Sequence, residues 1–151
     1  GVLRLVLELD GETIVRADLP QLADRTNRYL QQQRAALPAP ARTLADSIGA
    51  RIANLRPQLA TIDQATPMTE DLRRLVGQEL PDLVSSYQRV PKDLRTTDRN
   101  GRVPERELIE GMRLLDQEID DITKQLAASD IDRLASQKRY LELRYRDDEN
   151  A

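Results

Sequence analysis

The stretch PERELIEGMRLLDQEIDDITKQLAASDIDRLASQKRYLELRYR, residues 104–146, decides the fold class. Leu108, Met112, Leu115, Ile119, Ile122 and Leu126 recur at intervals of 4, 3, 4, 3 and 4, the repeat of one face of an α-helix. Ile131, Leu134, Leu141 and Tyr145 make a second stripe, with Lys138 where one apolar residue is missing. The short link at Ala128-Ser129-Asp130 suits an antiparallel turn. On that reading 104–128 and 130–147 form an antiparallel helix pair. Ile122 lies level with Leu134, and Leu115 with Leu141. Lys138 then sits beside Glu118 and reaches it along the edge of the seam. Asp120 and Lys124 make a favourable i,i+4 pair.

Upstream, the same periodicity repeats. Asp18 is a good N-cap and Pro20 suits a first turn, so residues 18–37 read as a helix with Leu19, Leu22, Thr26, Tyr29 and Leu30 on one side. Pro38-Ala39-Pro40 ends it. Residues 41–66 carry Leu44, Ile48, Ile52, Leu55, Leu59 and Ile62 straight across Pro57, which predicts one kinked helix. Pro67 closes that element. Thr69, Glu70 and Asp71 then open a helix over 69–90, with a kink or restart at Pro81 and a stop at Pro91. Lys92 to Val103 is the longest polar connection.

At the amino terminus, residues 1–17 change period. Leu3, Leu5, Leu7 and Leu9 alternate with Val2, Arg4, Val6 and Glu8, which is the repeat of a strand. Asp10-Gly11 is a favoured hairpin turn before a second strand at Thr13–Ala17. The expected fold is therefore a single mainly α domain, a bundle of four to five helices with an amino-terminal β-hairpin. The hairpin either covers the helices or pairs at its open edge with a second copy.

The composition limits the chemistry. The chain has 151 residues, 39% hydrophobic and 32% charged, with a net charge of −3. It contains no Cys, His, Phe or Trp. That removes cysteine nucleophiles, disulfides, His-based zinc sites and the commonest general base. The mixed charge argues against a broad nucleic-acid surface, and no apolar run is long enough to span a membrane. No secretory leader pattern is present. The expectation is a cytoplasmic protein, or the cytosolic part of a larger one.

One stretch imitates a metal site. Residues 96–107 lay Asp98, Asn100, Gly101 and Glu107 on positions 3, 5, 6 and 12 of a calcium loop. Thr96 stands where the anchoring carboxylate belongs, and Arg99 and Arg102 add positive charge. A turn at Gly101 followed by a helix start at Pro104 explains the same residues. Asp116, Glu118, Asp120 and Asp121 form an acidic cluster on one helix, where Asp116 and Asp120 share a face fit for Mg²⁺ or for a solvated surface. Arg51, Arg56, Arg73, Arg74, Arg89, Lys92 and Arg95 give the middle of the chain a basic lean, fit for an anionic partner or for an ordinary helix surface. Ser85-Ser86 has no suitable base.

The second half resembles a known family. Leu80-Pro81-Asp82-Leu83 with Tyr87, Val90-Pro91, Leu94-Arg95 and Gly101-Arg102 carry the first part of the likeness. Leu114-Leu115-Asp116, Glu118-Ile119, Gln137-Lys138-Arg139-Tyr140-Leu141-Glu142 and Arg144-Tyr145 carry the rest. Over residues 67–146 the chain resembles bacterial helical proteins near the 5-bromo-4-chloroindolyl phosphate hydrolysis proteins, which are associated with toxic-anion resistance. The resemblance implies a bacterial, stress- or envelope-associated accessory domain. The family's name implies phosphate ester hydrolysis, but the quoted motifs are packing motifs and no catalytic residue carries over.

The expectation is a non-catalytic interaction or regulatory module with no cofactor and no resident metal. Its protein partner is unidentified, and it self-associates, with the hairpin as one route. A calcium-responsive module using Asp98, Asn100 and Glu107 and a metal-dependent phosphohydrolase are the alternatives.

Overall fold

The computed structural model describes residues 18–62 and 66–150. The expected hairpin at 1–17 lies outside them. The described residues form α1 (Leu19–Gln33), a 3-10 turn (Arg34–Ala36), α2 (Ala39–Leu59), α3 (Pro67–Arg74), a π-turn (Leu75–Glu79), α4 (Leu80–Arg89), a second 3-10 turn (Lys92–Leu94) and α5 (Pro104–Asn150). Because α3, the π-turn and α4 run on as one rod, the architecture is mainly α with four helices, and no strand occurs among the described residues.

Prolines set most of the helix starts. Pro20, Pro40 and Pro81 sit in first turns, where their missing N–H goes unused. Pro67 opens α3 rather than closing the preceding helix. Thr66 is its N-cap and accepts from the Thr69 N–H at 3.3 Å. Pro57 sits inside α2, whose stripe continues past it to Leu59. Val90 turns extended before Pro91, and α4 ends there.

Pro81 leaves a hydrogen-bonding gap in the π-turn, and α1 fills it. Leu80 donates its N–H to the Leu75 carbonyl, five residues back. In that register the Val76 carbonyl would await the N–H of residue 81, and proline has none. Thr26, buried in α1, supplies the donor: its Oγ1 lies 3.2 Å from the Val76 oxygen. The Tyr29 hydroxyl donates to the Pro81 carbonyl at 3.4 Å. One face of α1 thus completes the backbone of α3–α4.

Leu19 and Ala23 of α1, Ile52 and Leu55 of α2, and Leu72 and Val76 are all buried in one core. Leu108, Met112, Leu115, Ile119, Ile122 and Leu126 carry it along α5. The stripe read over 104–126 is therefore the core face. On the surface, Arg34 holds Asp46 through Nε and NH2, and Arg56 holds Asp24 the same way. These two-pronged pairs tie α2 to the 3-10 turn after α1 and to α1 itself.

The antiparallel pair expected from 104–128 and 130–147 is not formed. Residues 104–150 are one 47-residue helix, about 70 Å long at 1.5 Å per residue. Ala127-Ala128-Ser129-Asp130 contains no glycine or proline, and alanine is the best helix former, so nothing stops the helix there. Lys138 consequently pairs with Glu142 on its own helix at 3.5 Å instead of with Glu118. The expected Asp120–Lys124 pair is present at 3.0 Å. No described helix is long and apolar enough to cross a membrane.

The charge pairs fix a pH response. Arg56 lowers the Asp24 pKa through a hydrogen bond, Arg34 does so for Asp46, and Lys124, then Arg51, for Asp120. Folded carboxylates that shed protons more readily than the unfolded value of 3.8 stabilise the fold above that pH. The contribution is lost as pH falls through their lowered values. Burial raises Tyr29, assisted by the charge of Asp82, and burial likewise raises Tyr87. Their contribution is full below 10.0 and is lost as pH rises above it. With no His and no Cys in the chain, the melting temperature is expected to stay level between about pH 5 and about pH 9 and to fall on either side. A thermal-melt series across pH checks this; a step near pH 6–7 would contradict it.

Candidate functional site

Three regions carry chemistry-bearing side chains. The first is the connection before α5. Asn100 and Gly101 have φ of +56° and +80°, and Arg99 and Arg102 exchange two backbone hydrogen bonds at 2.9 and 3.0 Å. Positive φ at both central residues makes this a type I′ turn, the geometry that Asn-Gly favours. Asp98 Oδ1 accepts the Gly101 N–H at 2.8 Å and so braces the turn.

The residue that pins this loop is Arg95, read from the sequence only as part of a basic lean. Arg95 donates through Nε to the Val90 carbonyl at 2.9 Å and through NH2 to the Gln88 carbonyl at 3.0 Å. Its guanidinium lies 4.8 Å from the Tyr87 ring centroid. The side chain caps the carbonyl end of α4 and stacks on its last buried ring. Arg95→Ala is expected to cost about 1–2 kcal/mol, because two carbonyls lose a charged donor. Arg95→Lys should recover only part of it, since a single ammonium does not reproduce the planar fork. Urea unfolding of both variants reads the difference.

Beside this loop lies an open cleft of about 1070 Å³. Val90, Pro91, Leu94 and Pro104 give it an apolar floor. Asp98, Asn100 and Glu107, the calcium-loop candidates, all line it, together with Arg89, Arg99 and Arg102. Among the described residues, no group of three or more His, Cys, Asp and Glu side chains is placed to hold a metal ion.

The second region is the acidic face of α5. Asp116 Oδ1 accepts from Ser47 Oγ and from Arg51 Nε, both at 2.9 Å. Asp120 Oδ1 accepts from Arg51 NH1 at 2.7 Å, and its Oδ2 lies 3.0 Å from Lys124 Nζ. The two carboxylates expected to share a face do share it. The arginine of α2 bridges them, so their geometry is that of a helix–helix clasp. Arg51, read as part of a basic lean, is committed to this pair, and Arg56 to Asp24.

The third region is the far half of α5. Leu126 is its last buried residue, and every residue from Ala128 to Arg146 is exposed. Ile131 is 64% exposed, Leu134 70% and Tyr145 60%, with Leu141 also open. The two stripes are out of phase. Ile131 follows Leu126 by five positions instead of three or four, so the distal stripe is centred roughly 100° around the axis from the core stripe. The distal apolar face therefore points away from the helices that the proximal face packs on.

Comparison with family models, with curated protein sequences and with solved structures finds no match.

Proposed function

We propose that the protein is a non-catalytic interaction module: a four-helix body that presents the distal half of α5 as an association arm. The observation that carries this reading is the exposed stripe Ile131, Leu134, Leu141 and Tyr145 on a helix continuous with the core. In proteins most helical stability comes from packing an amphipathic face, and contiguous exposed apolar surface marks an interaction site. Each of the four side chains gains on the order of 1.5–3 kcal/mol on full burial. The Lys138–Glu142 pair and the Arg144–Tyr140 hydrogen bond at 3.0 Å both lie within the arm itself.

The reading also draws on the clasped carboxylates: Asp116 and Asp120 face Arg51 and Lys124 rather than a second set of acids. Its bacterial, stress- or envelope-associated setting is the part that depends on the family resemblance. The test is affinity capture with the full chain and with Leu134→Asp/Leu141→Asp. Every association, with its own copies or with other host proteins, is expected to be lost in the variant while the body melts at the same temperature. Association that survives the substitution contradicts the proposal. So does turnover of an aryl phosphate by the purified protein with Mg²⁺, Mn²⁺ or Zn²⁺.

A further inference from the structure

Building on the association arm just proposed, we infer that its occupant is a second copy of the same chain, whose distal α5 packs antiparallel against it as a two-helix coiled coil. The pattern of layers makes the pairing self-complementary. Ala127, Ile131, Leu134, Lys138, Leu141 and Tyr145 stand at alternating intervals of 4 and 3, the seam of a heptad repeat. Antiparallel pairing about Ser136 sets Ile131 against the second copy's Leu141, Leu134 against its Lys138, and Ala127 against its Tyr145. Each contact occurs twice, as a two-fold axis requires.

Charge chooses the direction. Near the body the arm carries Asp130 and Asp132 with Arg133, a slight acidic excess, and further out Lys138, Arg139, Arg144 and Arg146 with Glu142, a basic excess. Only head-to-tail alignment brings opposite ends together. In the antiparallel register Asp130 flanks the second copy's Arg144 on both sides of the axis, and Gln137 meets its own counterpart. Asp130 already accepts from Gln58 of its own body at 3.2 Å, which orients the carboxylate without exhausting its acceptor sites. A parallel pair would instead stack Lys138 on Lys138 inside the seam. Antiparallel pairing turns each Lys138 onto a leucine, along which its methylenes pack while the ammonium stays with Glu142.

The body leaves room for this. The distal stripe is rotated away from the face that α2 and α4 cover, so a second helix approaches beside the body and not through it. A seam from 127 to 145 is about 28 Å long. Two such helices bury on the order of 1,000 Å² in total, the lower bound for a specific interface. The expected affinity is therefore micromolar, with monomer and dimer exchanging.

The experiment is sedimentation equilibrium on the purified full chain from about 5 to about 200 μM, joined to disulfide trapping, for which the cysteine-free sequence is a clean background. The mass is expected to rise from one chain to two across the series. Leu134→Asp should weaken association at least tenfold with an unchanged melting temperature at low concentration. Lys138→Leu, which removes the one polar seam residue, should strengthen it about tenfold. A mixture of Ile131→Cys and Leu141→Cys chains should cross-link on oxidation, and Ile131→Cys alone should not, because its two copies lie some 15 Å apart along the seam. A monomer at every concentration, including for Lys138→Leu, overturns the inference, as does a dimer indifferent to Leu134→Asp. Cross-linking of Ile131→Cys alone overturns the antiparallel direction. A monomer that still captures a different protein through the arm removes the second copy and leaves the interaction module standing. Loss of capture as well removes both.

Discussion

Met112→Ala is expected to destabilise the protein by about 2–5 kcal/mol, the range for emptying a fully buried long apolar side chain. Met112 is 0% exposed on the core face of α5. Its removal leaves a void in the core that α2 and α4 share with that helix. Leu134→Ala, on the same helix, should change the stability of the isolated chain by no more than about 0.5 kcal/mol, because its side chain is largely exposed. Denaturant unfolding of the two variants at low protein concentration reads the contrast. Equal losses would mean that the distal half is part of the cooperative core. The pair of substitutions divides one continuous helix into a half that folds the protein and a half available for association.

Thr26→Val is expected to cost about 1–3 kcal/mol, the penalty for stranding a buried carbonyl without a donor. The substitution keeps the shape and removes only the hydroxyl that reaches Val76. Thr26→Ser keeps the donor and should retain most of the stability. Chemical unfolding of the three proteins measures this. A neutral Thr26→Val would show that the carbonyl finds another donor, and that the π-turn does not depend on α1. The effect links two sequence features far apart: a proline at 81 and a threonine at 26.

How much of this was legible in the sequence follows from what carries each feature. The stripes of residues 18–37, 41–66 and 69–90 specify helices, and Ile48, Ile52, Leu55, Leu72, Val76 and Val84 are buried as their spacing requires. Pro57 did not break α2, because the apolar face on both sides of it is buried in the same core. The misread element is the turn at 128–130. The change of phase between Leu126 and Ile131 looks like the start of a new helix, and Asp130 looks like a cap. The register match between the two stripes had little power to decide. Any two stripes of alternating 3 and 4 fit each other when one is reversed, so the fit would arise for a hairpin and for two chains alike. The absence of Gly or Pro was the better signal.

The candidate site was legible in part. The turn expected at Gly101 is there, and Asn100 joins Gly101 at positive φ. Asp116 and Asp120 share a face, as their spacing requires. Their partner Arg51 lies on another helix more than sixty residues earlier, and no local pattern couples the two. The grip of Arg95 on Val90, Gln88 and Tyr87 was equally silent, since an arginine in a polar loop looks like any other.

The central claim is that α5 runs unbroken past Leu126 and carries its apolar stripe out to solvent. The most direct measurement is a spin-label distance between Glu118→Cys and Arg139→Cys in the same molecule, with labelled chain diluted into unlabelled chain. Both positions are exposed, and no native cysteine competes for label. A continuous helix places the two backbones about 30 Å apart. A helix folded back at Ala128–Asp130 would bring them to about 10 Å, the spacing of packed helices. A distribution centred near 30 Å is the predicted result, and one near 10 Å would contradict the arm and the association built on it.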